Sequence, residues 1–115
     1  MKIEELTRWI EGKVIVEHSK ENQEITHAFT SDLMSDVLTI DHQETTVLLT
    51  GLANVQTIRT AEMANLCFVV LVRGKKATPE MIEIAIDNDI VIVETNFSAF
   101  RASAVLNNAG IQSLF

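Results

Sequence analysis

The chain has 115 residues, 47% hydrophobic and 22% charged, so it is long enough for one domain (1–115) with one core and too apolar to be disordered. Its net charge of −7 lacks the basic footprint that binding to nucleic acid or to an anionic membrane surface requires. A lone cysteine, Cys67, rules out a disulfide framework and a Cys-pair metal site, and its place at the head of an apolar run reads as a small buried hydrophobe.

Residues 2–11 carry Ile3, Leu6 and Ile10 at helical spacing with Trp9 beside them, and Gly12 stops the helix. This amino-terminal stretch lacks the long apolar core of a signal peptide. Nowhere does the chain approach the roughly 20 apolar residues of a membrane span, which implies a cytoplasmic protein. Lys13–His18 reads as a strand and 19–24 as a loop. A second extended piece is expected over 25–29, and Ser31 or Asp32 as the N-cap of a helix carrying Leu33, Met34, Val37 and Leu38. A polar loop follows over 41–44.

Thr46–Thr50 is a short strand ended by Gly51. A helix over 55–66 carries Val55, Ile58 and Ala61, and residues 67–72 form an unbroken apolar run, as in a strand buried on both faces. Thr78-Pro79-Glu80 opens a helix with a capping threonine, proline at the first position and an acid in the first turn. Ile90–Val93 is a further buried strand. Ser98 opens the last helix, through Ala99, Ala102, Leu106 and Ala109, and Gly110 ends it.

Strands alternating with helices over short connections give βαβ units and right-handed crossovers. The fold expected is therefore α/β: a three-layer sandwich with a mostly parallel sheet of about four to five strands flanked by helices, a two-layer version being second. The first strand and residues 25–30 are expected at the sheet edges.

Ligands of such sheets bind at the carboxyl ends of the strands. Those ends carry Thr30-Ser31-Asp32, Thr50-Gly51-Leu52-Ala53-Asn54, Arg73-Gly74-Lys75-Lys76 and Glu94-Thr95-Asn96. Five of the nine basic residues (Arg59, Arg73, Lys75, Lys76 and Arg101) lie in the second half, at or near these ends, which in so acidic a chain points to an anion site. The candidate ligand-binding set is Ser31, Asp32, Thr50, Gly51, Asn54, Arg59, Thr60, Arg73, Gly74, Lys75 and Thr95.

Every member also has an ordinary reading. Ser31 and Asn54 stand where N-caps belong, Gly51 and Gly74 are turn glycines, and Lys75-Lys76 is a solvated pair. Ser31-Asp32 and Ser35-Asp36, four apart, would stack two carboxylates on one helix face; a capped helix start that favours acids explains them better than a divalent cation or a paired-acid site.

Catalytic motifs fail one at a time. Glycines at 12, 51, 74 and 110 permit neither a phosphate-binding loop of the Walker type nor G-x-G-x-x-G, and no G-x-S-x-G is present. His18, His27 and His42 show no zinc spacing. No catalytic residue, metal or cofactor is expected.

The segments Ser31-Asp32-Leu33-Met34-Ser35-Asp36-Val37-Leu38, Val47-Leu48-Leu49-Thr50-Gly51, Thr57-Ile58-Arg59-Thr60-Ala61-Glu62-Met63 and Val72-Arg73-Gly74-Lys75-Lys76 resemble the DRTGG-domain family. The resemblance runs from about Lys13 to Gly110 and is nearest to the stand-alone members encoded beside iron hydrogenase and electron-transfer genes. That family is similar to the N-terminal domain of HPr kinase/phosphorylase, and relatives occur in phosphotransacetylases and in CBS-regulated pyrophosphatases. It implies a compact α/β regulatory domain, non-catalytic and dimerising. The chain departs from the namesake motif: Leu52-Ala53-Asn54-Val55-Gln56-Thr57 stands for its Asp-Arg-Thr run, and Val72-Arg73-Gly74 for its Thr-Gly-Gly.

Two functions follow. One is a dimeric regulatory domain sensing an anionic ligand, a nucleotide or a phosphorylated metabolite. The other is an adaptor for a larger hydrogenase-type or electron-transfer enzyme, with no small ligand. Met81, Ile82, Ile84, Ala85 and Ile86 on one helix exceed a single buried stripe and favour an interface. The tail Ile111–Phe115 is apolar enough to pack on the domain or on a partner.

Overall fold

The computed structural model describes residues 1–17, 22–40 and 44–115. Its elements are α1 (Ile3–Trp9), β1 (Lys13–Val16), β2 (His27–Thr30), α2 (Met34–Val37), β3 (Thr46–Thr50), α3 (Val55–Met63), β4 (Phe68–Leu71), α4 (Pro79–Asp87), β5 (Val91–Glu94), α5 (Ala99–Asn108) and β6 (Gln112–Ser113). The expected strand end at His18, the loop residues 19–21 and 41–43, and His42 lie outside the described residues.

One six-stranded sheet has the order β1-β5-β4-β3-β2-β6. It is mixed: β2 to β6 run parallel and β1 lies antiparallel on β5. Alternation along each strand divides the core. Val47, Leu49, Phe68, Val70, Val91 and Val93 meet Ile3 and Leu6 of α1 and Ala102 and Leu106 of α5. Leu48, Val69, Leu71 and Ile92 meet α2, α3 and α4 through Val37, Ile58, Ala61, Met81 and Ala85. Helices therefore cover both faces, and the expected three-layer sandwich is the fold observed.

Two expectations are corrected. Residues 27–30 are not an edge strand, because the two residues of β6 pair outside them. Neither Ser31 nor Asp32 caps α2; the N-cap is Leu33, with no side-chain cap, and the helix is only four residues long. The Ser31 hydroxyl instead accepts the Leu33 N–H at 3.0 Å. Since Asp32 precedes the helix, it does not stack with Asp36 on one helical face.

Four helices hand the chain back to the sheet by the same device. A left-handed residue follows the last turn at Glu11, Asn65, Asp89 and Gly110. The next amide then reaches back to the carbonyl of Thr7, Ala61, Ala85 or Leu106 at 2.8–3.0 Å. This closing pattern satisfies helix carbonyls that would otherwise be orphaned, and it places apolar Leu66, Ile90 and Ile111 at the bottom of the core. The starts are sharper still: Asn54, Thr78 and Ser98 each accept an N–H from three residues on, as the sequence reading had it.

Gly12 stands where α1 turns into β1. A Cβ there would lie 2.9 Å from the Glu94 carbonyl oxygen and 3.0 Å from Val93 Cγ1. Gly12→Ala should lower stability by about 1–3 kcal/mol through overpacking, read as a lower denaturation midpoint in urea. An unchanged midpoint would mean that β1 shifts on β5 without cost.

Candidate functional site

Three consecutive crossovers, through α2, α3 and α4, all pack on one face of the sheet, whereas α5 leaves β5 for the other. The connections thus change sides between β4 and β5. In open α/β sheets the crevice outside the carboxyl ends at such a change of side is where ligands bind.

The β4–β5 end is tightly made. The Arg73 N–H donates to the Phe97 carbonyl at 2.7 Å, and the Gly74 N–H to the Thr95 carbonyl at 2.9 Å. Thr95, buried, donates its hydroxyl to the Ile10 carbonyl at 2.7 Å and accepts the Phe97 N–H at 3.1 Å. Three segments (the α1 end, the β4 loop and the β5 loop) are pinned at one point. Arg73 has φ 58 and Gly74 φ 73. Of the described non-glycine residues with positive φ, Arg73 alone does not follow a helix; it lies in the turn after β4, two residues beyond Leu71, and its side chain is exposed. Left-handed backbone at a bulky residue is uncommon and collects at functional positions.

Around this point sit Lys75, Lys76 and Lys13, all exposed. A recess of about 140 Å³ lies between the ends of β5 and β1, lined by Glu11, Gly12, Lys13, Lys76, Glu94, Thr95 and Asn96. That is room for a group of a few heavy atoms, given about 30 Å³ for a water. Glu94, whose side chain is mostly buried, accepts the Ala77 N–H at 2.7 Å and faces the Lys76 ammonium at 3.5 Å. Arg101 lies 3.8 Å over the Phe97 ring, a cation–π contact on the first turn of α5.

The β2–β3 end is different in kind. Asp32 Oδ1 accepts both the Thr50 hydroxyl at 2.9 Å and the Gly51 N–H at 2.7 Å. The donors that would cradle a phosphate there already hold a carboxylate. Asn54 is committed to the α3 cap, accepting the Thr57 N–H at 3.0 Å.

The structure therefore divides the sequence candidates. Arg73, Gly74, Lys75 and Thr95 come together at the change of side. Ser31, Asp32, Thr50 and Gly51 form a second, self-satisfied cluster. Arg59 and Thr60 sit in the second turn of α3, Arg59 exposed and Thr60 buried. The sequence set omitted Glu94, which organises the Lys76-Ala77 side of the crevice; a carboxylate closing an otherwise apolar strand was the available signal. Among the described residues no group of three or more His, Cys, Asp or Glu side chains is placed to hold a metal ion, and no helix is long and apolar enough to cross a membrane. His27 shares a 2.8 Å hydrogen bond with the Thr26 hydroxyl.

No family model matches the chain, and no curated protein matches it. A solved structure does: the crystal structure of the CBS and DRTGG domains of the regulatory region of Clostridium perfringens pyrophosphatase, complexed with activator, diadenosine tetraphosphate. The TM-score is 0.77 at 13% identity, over 91% of this chain. The chain spans only 45% of that solved chain. At such identity the likeness shows the fold alone, and that fold is DRTGG-like.

Proposed function

We propose that this chain is a single DRTGG-family regulatory domain without catalysis of its own, acting in the cytoplasm as a homodimer. Its ligand in this reading is an anion of the nucleotide or phosphorylated-metabolite class, bound at the β4–β5 crevice. The observation that carries the reading is Arg73, held in a left-handed conformation without a helix to cap, at the point where the sheet connections change sides. Lys75 and Lys13 supply further positive charge there, Lys76 being paired with Glu94, in a chain of net −7. The regulatory setting of the pyrophosphatase of similar fold, with its bound dinucleotide activator, supports a sensing role. The internal Asp32 carboxylate argues against the β2–β3 end as the place for the anion.

A thermal-shift panel of nucleotides, dinucleotides and phosphorylated metabolites tests this. A ligand at about 100 times its Kd adds roughly 2.7 kcal/mol, which for a domain of this size raises Tm by about ten degrees. The shift should disappear in Arg73→Ala. A flat panel would remove the sensing reading.

The adaptor reading keeps one specific support. Met63 and Ile86, near the ends of α3 and α4, are 67% and 59% exposed, and both helices lie on the same face of the sheet. Such a surface suits a second protein.

A further inference from the structure

A groove lies at the opposite edge of the sheet, and the proposed crevice does not include it. β6 pairs with β2 only at His27–Gln112 and Ala28–Ser113. Beyond Ala28 the chain closes with the Leu114 N–H donating to the Ala28 carbonyl at 3.3 Å, leaving the outer side of Phe29 and Thr30 open. α5 overhangs this side and contributes Ser103, Leu106 and Asn107. The space enclosed is about 480 Å³, within the range of small-molecule sites.

Three features define what fits. None of the lining side chains carries a charge, in a chain where more than a fifth of residues do. Phe115 stands edge-to-face on Phe29, with ring centroids 5.6 Å apart and planes at 67°, yet the Phe115 ring is 81% exposed. Polar atoms converge on the apolar floor: the Thr30 and Ser103 hydroxyls share a 2.8 Å hydrogen bond, and Asn107 gives its Nδ2 to the Ile111 carbonyl at 3.0 Å, which leaves Oδ1 as an acceptor. A charged ligand would lose its hydration there with no charged side chain to offset the loss. A flat ring would stack on Phe115 and give one N–H to Asn107.

We propose that this groove binds an uncharged planar heteroaromatic ring. The site is independent of the anion crevice in place and in chemistry, and either can fail alone.

Indole, neutral and planar with one N–H, is the probe, titrated into the full chain and followed by backbone amide NMR. The expected result is saturable perturbation at Thr30, Ser103, Asn107 and Ser113, unchanged by raising the salt, since no charge is screened. Phe115→Ala should weaken binding roughly three- to tenfold while lowering Tm by no more than a few degrees, the loss of its edge-to-face contact with Phe29. Ser103→Leu, which fills the groove from α5, should abolish it. No saturable perturbation, or one confined to Arg73, Gly74 and Asn96, overturns the proposal. So does a dimer that dissociates in Phe115→Ala while indole has no effect, since the occupant would then be a second copy of the chain.

Discussion

Thr95→Val should lower Tm by about 8–15 degrees, although it alters one atom group in a residue of nearly the same size. The threonine is 3% exposed and works in both directions: its hydroxyl donates to the Ile10 carbonyl and accepts the Phe97 N–H. Valine leaves both partners buried and unsatisfied, at about 1–3 kcal/mol each, so roughly 2–4 kcal/mol after local relaxation. For a domain of this length a kilocalorie corresponds to about four degrees. Differential scanning calorimetry of the two proteins reads the change directly. A fall below about three degrees would mean that water enters and replaces the hydroxyl, and that the junction is softer than its distances indicate. The same variant bears on function, since the Thr95 and Phe97 carbonyls hold the Gly74 and Arg73 amides.

Arg73→Gly should move stability and ligand response in opposite directions. A bulky residue in the left-handed region costs about 1–2 kcal/mol, and glycine returns part of that through its greater freedom when unfolded. The net gain is on the order of 0.5–1 kcal/mol, or about two to four degrees of Tm. The rise of roughly ten degrees that a saturating anion gives the parent should vanish. Stability gained where binding is lost is the pattern of a conformation kept for a task. A glycine variant that still responds to the anion would take the guanidinium out of the site.

The elements with the clearest punctuation were legible in the sequence. Thr78-Pro79 starts α4 where capping chemistry requires, and the apolar run from Cys67 contains β4 in full. Boundaries shifted by up to three residues where the left-handed turn after a helix begins sooner than the apolar pattern ends, as at Met63 against the expected 66. β6 escaped because two polar residues, Gln112 and Ser113, carry no alternation; only their pairing with β2 makes them a strand. Asp32 read as a helix cap because the same side chain that caps can also reach sideways, and its partners Thr50 and Gly51 lie eighteen and nineteen residues on. The strand-end candidates were legible as a class. Which of them meet depended on the side taken by α5, and no local pattern encodes that. Glu94 escaped for a related reason: its partners Lys76 and Ala77 reach it only through a crossover.

The pairing of β6 over two residues sets a gradient of cohesion across the sheet. β2 to β5 are neighbours in sequence and in space, so each is held by its own crossover, while β6 returns only after α5 has passed back across the sheet. Brief local opening will therefore begin at that end, with the last strand lifting while the four central strands stay paired. Each such excursion bares the outer edge of β2, a row of unpaired backbone groups of the kind that recruits strands from other molecules. An occupant lodged between α5 and β2 would act as a clasp on the tail, slowing that peeling and keeping the sheet from growing by self-addition.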